Sequence, residues 1–420
     1  MRAAAIAPHD RDHLDVLDGL RGLAIVLVVI THSFITGFRP AIVAGPFAIG
    51  IEPMVLAGSL GVELFFFISG FVLFAPYARA MCGERSVPTL RHFIDRRFIK
   101  IVPSYYLALF ITGFLFFIPP DVEIERTKQL FLHATFLHPF WHESIFAIVS
   151  AFWSLGIEVQ FYVVFPLVAA AMRRKPYLTF AALLAIGEGY RIWLQVTGAN
   201  TDFFYVCQLP AQIDLFGLGM VCAYLYVVLR DRARTPRVRS VATAIAVAAL
   251  AFGAWLLDDF AHVTKTLRVE DHQSWQNDHR LVVSITIAAL ALGSIFAIDA
   301  WRRFIANPVL VWLSGISYNL YLWHDAILVQ CSKTGFPCSG VSNPWQTTAN
   351  WDIGFFWTYV GISIAVAWTI SIAIERPLLA LGTRGIWRIA SVRIRSLVPT
   401  RKARRTERGR AEVPRGTIGK

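Results

Sequence analysis

Long apolar runs alternate with short polar stretches along almost the whole chain. Runs of about 18 or more apolar residues read as spanning helices, because only a backbone hydrogen-bonded to itself is tolerated in hydrocarbon. Ten such runs stand out, near 15–36, 58–76, 97–118, 145–172, 177–194, 208–229, 240–257, 281–299, 309–330 and 353–377. The pattern predicts an all-α, polytopic membrane protein with about ten transmembrane helices. The first run, LDVLDGLRGLAIVLVVITHSFIT (14–36), is long enough to cross a bilayer and yet carries Asp18, Arg21 and His32. At 100° per residue, the eleven positions from Arg21 to His32 leave about 20° between them, and Asp18 falls about 40° from His32. An Asp or Arg near mid-membrane costs roughly 2.5 to 3.5 kcal/mol, so such residues are expected to face a protein interior or a wet cavity. This stripe is the first candidate active face.

Other ionisable residues interrupt later runs. Glu63 opens the second, where a carboxylate needs a partner, while the neighbouring Ser69-Gly70 reads equally as small-residue helix packing. The third begins RHFIDRRFIKIVPSYY (91–106), in which Arg97, Lys100 and Ser104 share one helical face. Pro103 frees backbone groups there, so Arg97 and Lys100 are candidates for holding phosphate, whereas Arg91 and Arg96 read as anchors to lipid headgroups. Ser154, Glu158 and Tyr162 lie four apart on the fourth run, and Ser317, Tyr321 and His324 form a stripe on the ninth, followed by Asp325. Glu188 and Arg191 are spaced to pair locally. Gln208, Gln212 and Asp214 fit an external vestibule or a structural network equally well.

Composition sharpens the class. Of 420 residues, 56% are hydrophobic and 16% charged, far from an ordinary soluble domain. With the N-terminus inside, 31 of the 40 Lys and Arg fall on internal segments and 8 on external ones, which places both termini in the cytoplasm. The net charge of +12 is then a topology signal, and no nucleic-acid partner is expected. The first run lacks a small-residue cleavage site and is expected to stay in the mature protein. Cys331 and Cys338 flank a short external loop, CSKTGFPC, in which either a disulfide or two free thiols would fit. His138 and His142 have the i,i+4 spacing of a zinc helix, but Pro139 follows the first and no third ligand is evident, so no metal is expected. Trp275, in the polar stretch 258–280, is a weak candidate for stacking on a sugar ring. The chain divides into a cytoplasmic segment 1–13, a transmembrane domain 14–378 and a basic tail 379–420. In the tail, Arg384, Arg388, Ser391 and Arg395 would share one face of an amphipathic helix on the inner leaflet. P-loop, dinucleotide fingerprint and nucleophile elbow are all missing, which leaves histidine for catalysis.

Read in order, LDGLRGLAIVLVVITH (17–32), GVELFFFISGFVLF (61–74), RRFIKIVPSYY (96–106), FWSLGIEVQFYVVFPL (152–167), SYNLYLWH (317–324) and IERP (374–377) resemble the acyltransferase family 3 membrane proteins. The resemblance implies a multi-pass enzyme of the bacterial plasma (inner) membrane. Such an enzyme moves an acyl group, acetyl foremost, from cytoplasmic acyl-CoA to a hydroxyl of lipopolysaccharide, an exopolysaccharide or a related acceptor. By position, Arg21 and His32 look like the family's paired first-helix residues, His32 having the catalytic part. Arg97 matches the first arginine of its Arg-x-x-Arg element, and Lys100 stands at the second, which keeps charge but loses the planar fork for phosphate. Without an esterase-like domain after residue 378, the chain looks like the stand-alone type.

These readings make His32 the expected general base, with Glu158 or Asp18 orienting its ring. Arg21, Arg97 and Lys100 are expected to bind the donor's phosphates. Ser154, Tyr321, His324 and Glu63 are expected to contact substrate, membrane lipid surrounding the whole. Direct attack and an acyl-histidine intermediate both remain open. The rival from another class is a transporter or flippase of a lipid-linked saccharide, whose intramembrane charges would line a path.

Overall fold

The first helix, α1 (Asp15–Ile35), is apolar enough to be buried on most sides, and two glycines decide how deeply it sits. A Cβ at Gly19 would meet the Ile305 carbonyl, and one at Gly22 the Leu310 carbonyl, so only glycine lets the backbones approach this closely. A computed structural model describes residues 14–35, 41–44, 47–50, 58, 60–116, 124–264, 269–334, 336 and 349–382. After α1 comes an antiparallel hairpin, β1 (Ala41–Ala44) and β2 (Phe47–Gly50), with Ala41 opposite Gly50. All other regular elements among the described residues are helical.

These are α2 (Leu60–Met81), α3 (Leu90–Ile111, continued by a π-helical turn Thr112–Phe116), α4 (Ile124–Ala134), α5 (Phe152–Arg174) and α6 (Pro176–Thr197). Then follow α7 (Leu209–Leu229), α8 (Pro236–Thr264), α9 (Val269–Phe296), α10 (Asp299–Ile305), α11 (Pro308–Thr334) and α12 (Ala349–Ile370, continued by a π-helical turn Ser371–Glu375). Local signals fix several ends. The Thr89 hydroxyl caps α3 by accepting from the His92 N–H at 3.3 Å, Pro176 begins α6, and Gly198 ends it at φ 74°.

The most extensive contacts join α2 to α7, α8 to α9, α1 to α11 and α11 to α12. Between α2 and α7, Gly70 lies against the Phe216 carbonyl and Gly219 against that of Phe67. Phe161 and Phe216 stack at 4.0 Å in the core beside this crossing. Eight helices among the described residues are long and apolar enough to cross a membrane, which makes this a multi-pass membrane protein. The expected runs 177–194 and 309–330 are helical, as α6 and α11, but are not among those eight, being interrupted by polar residues such as Glu188 and Arg191 on α6 and His324 and Asp325 on α11. For α11 the reason is its position: held between α1 and α12, its Ser317, Asn319, His324 and Asp325 are buried against protein.

The stretch 258–280 is largely helical, being the end of α8 and the start of α9. Trp275 is 4% exposed, donates its Nε1–H to Asp259 at 2.8 Å and stacks on His279, so no face is left for a sugar. His138 sits in a short 3₁₀ turn and stacks on His133 at 4.2 Å, whereas His142 pairs with Asp202, so the two imidazoles of the zinc-like spacing diverge. Residues 1–13, Cys338 and 384–395 lie outside the described residues.

Candidate active site

Five helices converge on one cavity of about 110 Å³. Arg21 comes from α1, Phe65 and Ser69 from α2, Arg97 from α3, Ser154 and Glu158 from α5, and Ser317 and Tyr321 from α11. Apolar side chains, including Val62, Phe66 and Leu155, form the rest of the wall. Two guanidinium groups therefore open on the same space as a carboxylate and two hydroxyl-bearing stripes. Helical spacing predicted each stripe, and the bundle turns them towards one another.

Within the cavity, Glu158 accepts hydrogen bonds from Ser69 Oγ at 2.7 Å and from the Tyr162 hydroxyl. The Arg97 guanidinium lies 5.5 Å from the centroid of the Tyr162 ring. Ser154 Oγ and Tyr321 Oη are 2.6 Å apart, and the Tyr321 ring meets Phe65 edge-on at 5.9 Å. Ser69 is thus a donor to the cavity carboxylate as well as the neighbour of a packing glycine. A buried carboxylate needs donors, and that need was the one sequence signal pointing to Ser69.

His32 does not line this cavity. Its Nδ1–H donates to the Val28 carbonyl at 2.9 Å, and its ring meets His324 edge-on, with centroids 4.7 Å apart and planes at 90°. His324 in turn lies 5.7 Å from Tyr321, so a file of rings links His32 to the cavity wall. The expected carboxylate behind His32 is absent among the described residues. Glu158 is held by Ser69 and Tyr162, and Asp18 accepts from Ser314 at 3.0 Å. Fourteen residues at 1.5 Å each put Asp18 about 21 Å from His32 along the helix.

Two further placements differ from expectation. Lys100 forms an ion pair with Glu375, which is 4% exposed, and Glu375 also accepts from Asn319 at 2.7 Å. A lysine so engaged is a tie between α3 and the end of α12, which explains the glutamate of the IERP segment, and it does not line the cavity. Glu63 pairs with Arg280, both nearly inaccessible, and joins α2 to α9. The same logic puts Arg191 on Asp214 at 2.9 Å and on Glu188 at 2.8 Å, so the polar start of α7 is a structural network. Asp325 accepts from the N–H and the Oγ of Ser150, at 3.0 and 2.8 Å.

Outside the spanning helices, His133 and His138 are a buried, stacked pair beneath Tyr105, whose hydroxyl donates to the His133 carbonyl at 2.9 Å. Burial, with His138 beside it, pushes His133 down to about 3, and burial pushes His138 down to about 4. Both are neutral near pH 7.

Residues 14–374 match the acyltransferase domain family. O-acetyltransferase OatA of Staphylococcus aureus (strain NCTC 8325 / PS 47) is 24% identical over 339 residues, covering 76% of this chain and 51% of that protein. A candidate O-acetyltransferase of Staphylococcus aureus (strain COL) is 24% identical over 333 residues, covering 74% and 50% respectively. The chain thus spans about half the length of the curated relatives it matches. No solved structure matches it. Since the matched region takes in all five helices that build the cavity, as well as His32 and His324, the chain belongs to the acyltransferase domain family.

Proposed function

We propose that this protein is a membrane-embedded O-acyltransferase, moving an acyl group, acetyl first among them, from acyl-CoA to a hydroxyl of a glycan or related cell-surface acceptor. In this reading the bundle crosses a bacterial inner membrane ten times, α6 and α11 included, with both termini cytoplasmic. The observation that carries it is the joint opening of Arg21 and Arg97, from two different helices, on a cavity that also holds Glu158 and the Ser154–Tyr321 hydroxyl pair.

The two guanidinium groups bind the phosphates of the donor, for which their fork geometry and permanent charge suit them. About 16 Å separates Arg21 from His32 along α1, a span that the donor's pantetheine arm can cover. His32 is the base. Its Nδ1–H is committed to the Val28 carbonyl, so Nε2 carries the free lone pair. The acceptor oxygen attacks the thioester carbonyl while its proton passes to Nε2. The C–O bond forms, the C–S bond breaks, and the departing thiolate takes the proton. An O–H of the Ser154–Tyr321 pair is the donor nearest to hand for the developing oxyanion.

The test is the full-length protein in vesicles, supplied with radiolabelled acetyl-CoA and an envelope glycan extract. Label on the glycan, lost in His32→Ala, supports the reading. Movement of glycan across the vesicle without label transfer overturns it in favour of a transporter.

A further inference from the structure

Among the described residues, no carboxylate touches the base proposed for this site, which has the Val28 carbonyl on one nitrogen and the His324 ring beside it. Around that contact, Tyr321 lies 5.7 Å from His324, Asp325 follows His324 on α11, and Tyr359 from α12 donates its hydroxyl to the Val29 carbonyl of α1 at 3.3 Å. Asp325, next in sequence to His324, spends its Oδ2 on two donors of Ser150. What the main chain does supply is orientation. His324 Nδ1–H donates to the carbonyls of Leu320 and Tyr321, at 3.1 and 2.8 Å, as His32 Nδ1–H does to Val28. Both imidazoles are therefore clamped as the same tautomer, each with Nε2 as a bare acceptor. The His324 side chain is fully buried, and its Nε2 has no partner.

A buried imidazole with one free lone pair, set edge-on against the proposed base, is placed to answer a cation formed there. We propose that His324 is a positioning residue for His32: its free Nε2 lone pair holds and stabilises the imidazolium formed when His32 takes the acceptor's proton, while the Val28 carbonyl keeps Nδ1–H. The inference rests on the reading of His32 as the base. A neutral imidazole answers when charge develops on its neighbour and relaxes when the charge leaves. The proton then leaves for the thiolate, and both rings end neutral.

The experiment compares His324→Asn, His324→Phe and His32→Ala as full-length protein in vesicles, with radiolabelled acetyl-CoA and the same glycan extract. Both His324 variants should lose about 10² to 10³-fold in kcat, with KM for acetyl-CoA within about twofold. The acid limb of kcat/KM should move to lower pH, because the imidazolium has lost its support. A merely structural histidine would leave that limb in place. Histidine ¹⁵N spectra of the wild-type protein should show Nδ1–H and bare Nε2 at both positions at neutral pH, and one proton shared by the pair below the acid limb. This readout holds even if both variants fail to fold. An Nε2–H tautomer at either histidine, or a wild-type kcat and pH profile in His324→Asn, overturns the proposal. Undiminished transfer by His32→Ala would instead overturn the base assignment on which it rests.

Discussion

Two carboxylates inside spanning helices, Glu63 on α2 and Glu158 on α5, are answered by different kinds of partner. Glu63 is paired with the Arg280 guanidinium and sealed from solvent. Glu158 takes its hydrogen bonds from the neutral hydroxyls of Ser69 and Tyr162 and faces the cavity with Arg97 nearby. An ion pair closes a site, since each charge has already found its counter-charge. Hydroxyl donors solvate a carboxylate without cancelling it, which leaves charge available to a ligand. The same contrast separates two of the cations of α3: Lys100 is closed by Glu375, while Arg97 opens on the cavity.

The contrast can be broken most forcefully at Glu63. Glu63→Ala should cost about 3 to 5 kcal/mol by stranding Arg280 as a buried charge, while a double replacement by leucine should recover most of it. Thermal unfolding in detergent measures both, and equal losses in single and double variants would refute the account. Glu158→Gln should unfold within a degree or two of the wild type but lose about 10²-fold in acyl transfer, the size of effect expected when a reacting group is misplaced. A drop in melting temperature like that of Glu63→Ala would erase the distinction between the two carboxylates.

On α3 the expected differences are smaller. Arg97→Met should raise KM for acetyl-CoA about tenfold with little change in stability, and Lys100→Met should do the reverse by leaving Glu375 unpaired. Steady-state kinetics beside melting curves would separate them. The effect that is smallest near neutral pH concerns His133 and His138, whose folded-state values lie well below the unfolded one. Their contribution is fully present above about pH 6.5 and is lost as pH falls from there towards the folded values of about 3 and 4. Over that window stability should drop by at most about 1.4 kcal/mol per histidine per pH unit. His133→Phe paired with His138→Phe should flatten the slope.

Helical spacing was enough to find the stripe of Asp18, Arg21 and His32, the Ser154–Glu158–Tyr162 row and the Ser317–Tyr321–His324 row, because those relations are local to one helix. It was not enough to tell Lys100 from Arg97. Both lie on one face, and what separates them is Glu375, 275 positions away. It also led to the expectation of a carboxylate behind His32, where the fold instead brings up His324. Trp275 looked exposed because its neighbours are polar, yet those neighbours are the ends of two helices that cover it.

The sequence by itself determined the class of the protein, the apolar runs from which its helices are built and the short roster of ionisable side chains that a membrane interior would tolerate only with partners. Period and hydropathy are properties of neighbouring residues, so they survive being read along a line. Which partner each charge takes was decided only when α1, α2, α3, α5 and α11 packed together. Burial cost says that a charge must be answered, while the answering group is set by helix crossings, among them the close approaches at Gly19 and Gly22, that bring distant segments into contact.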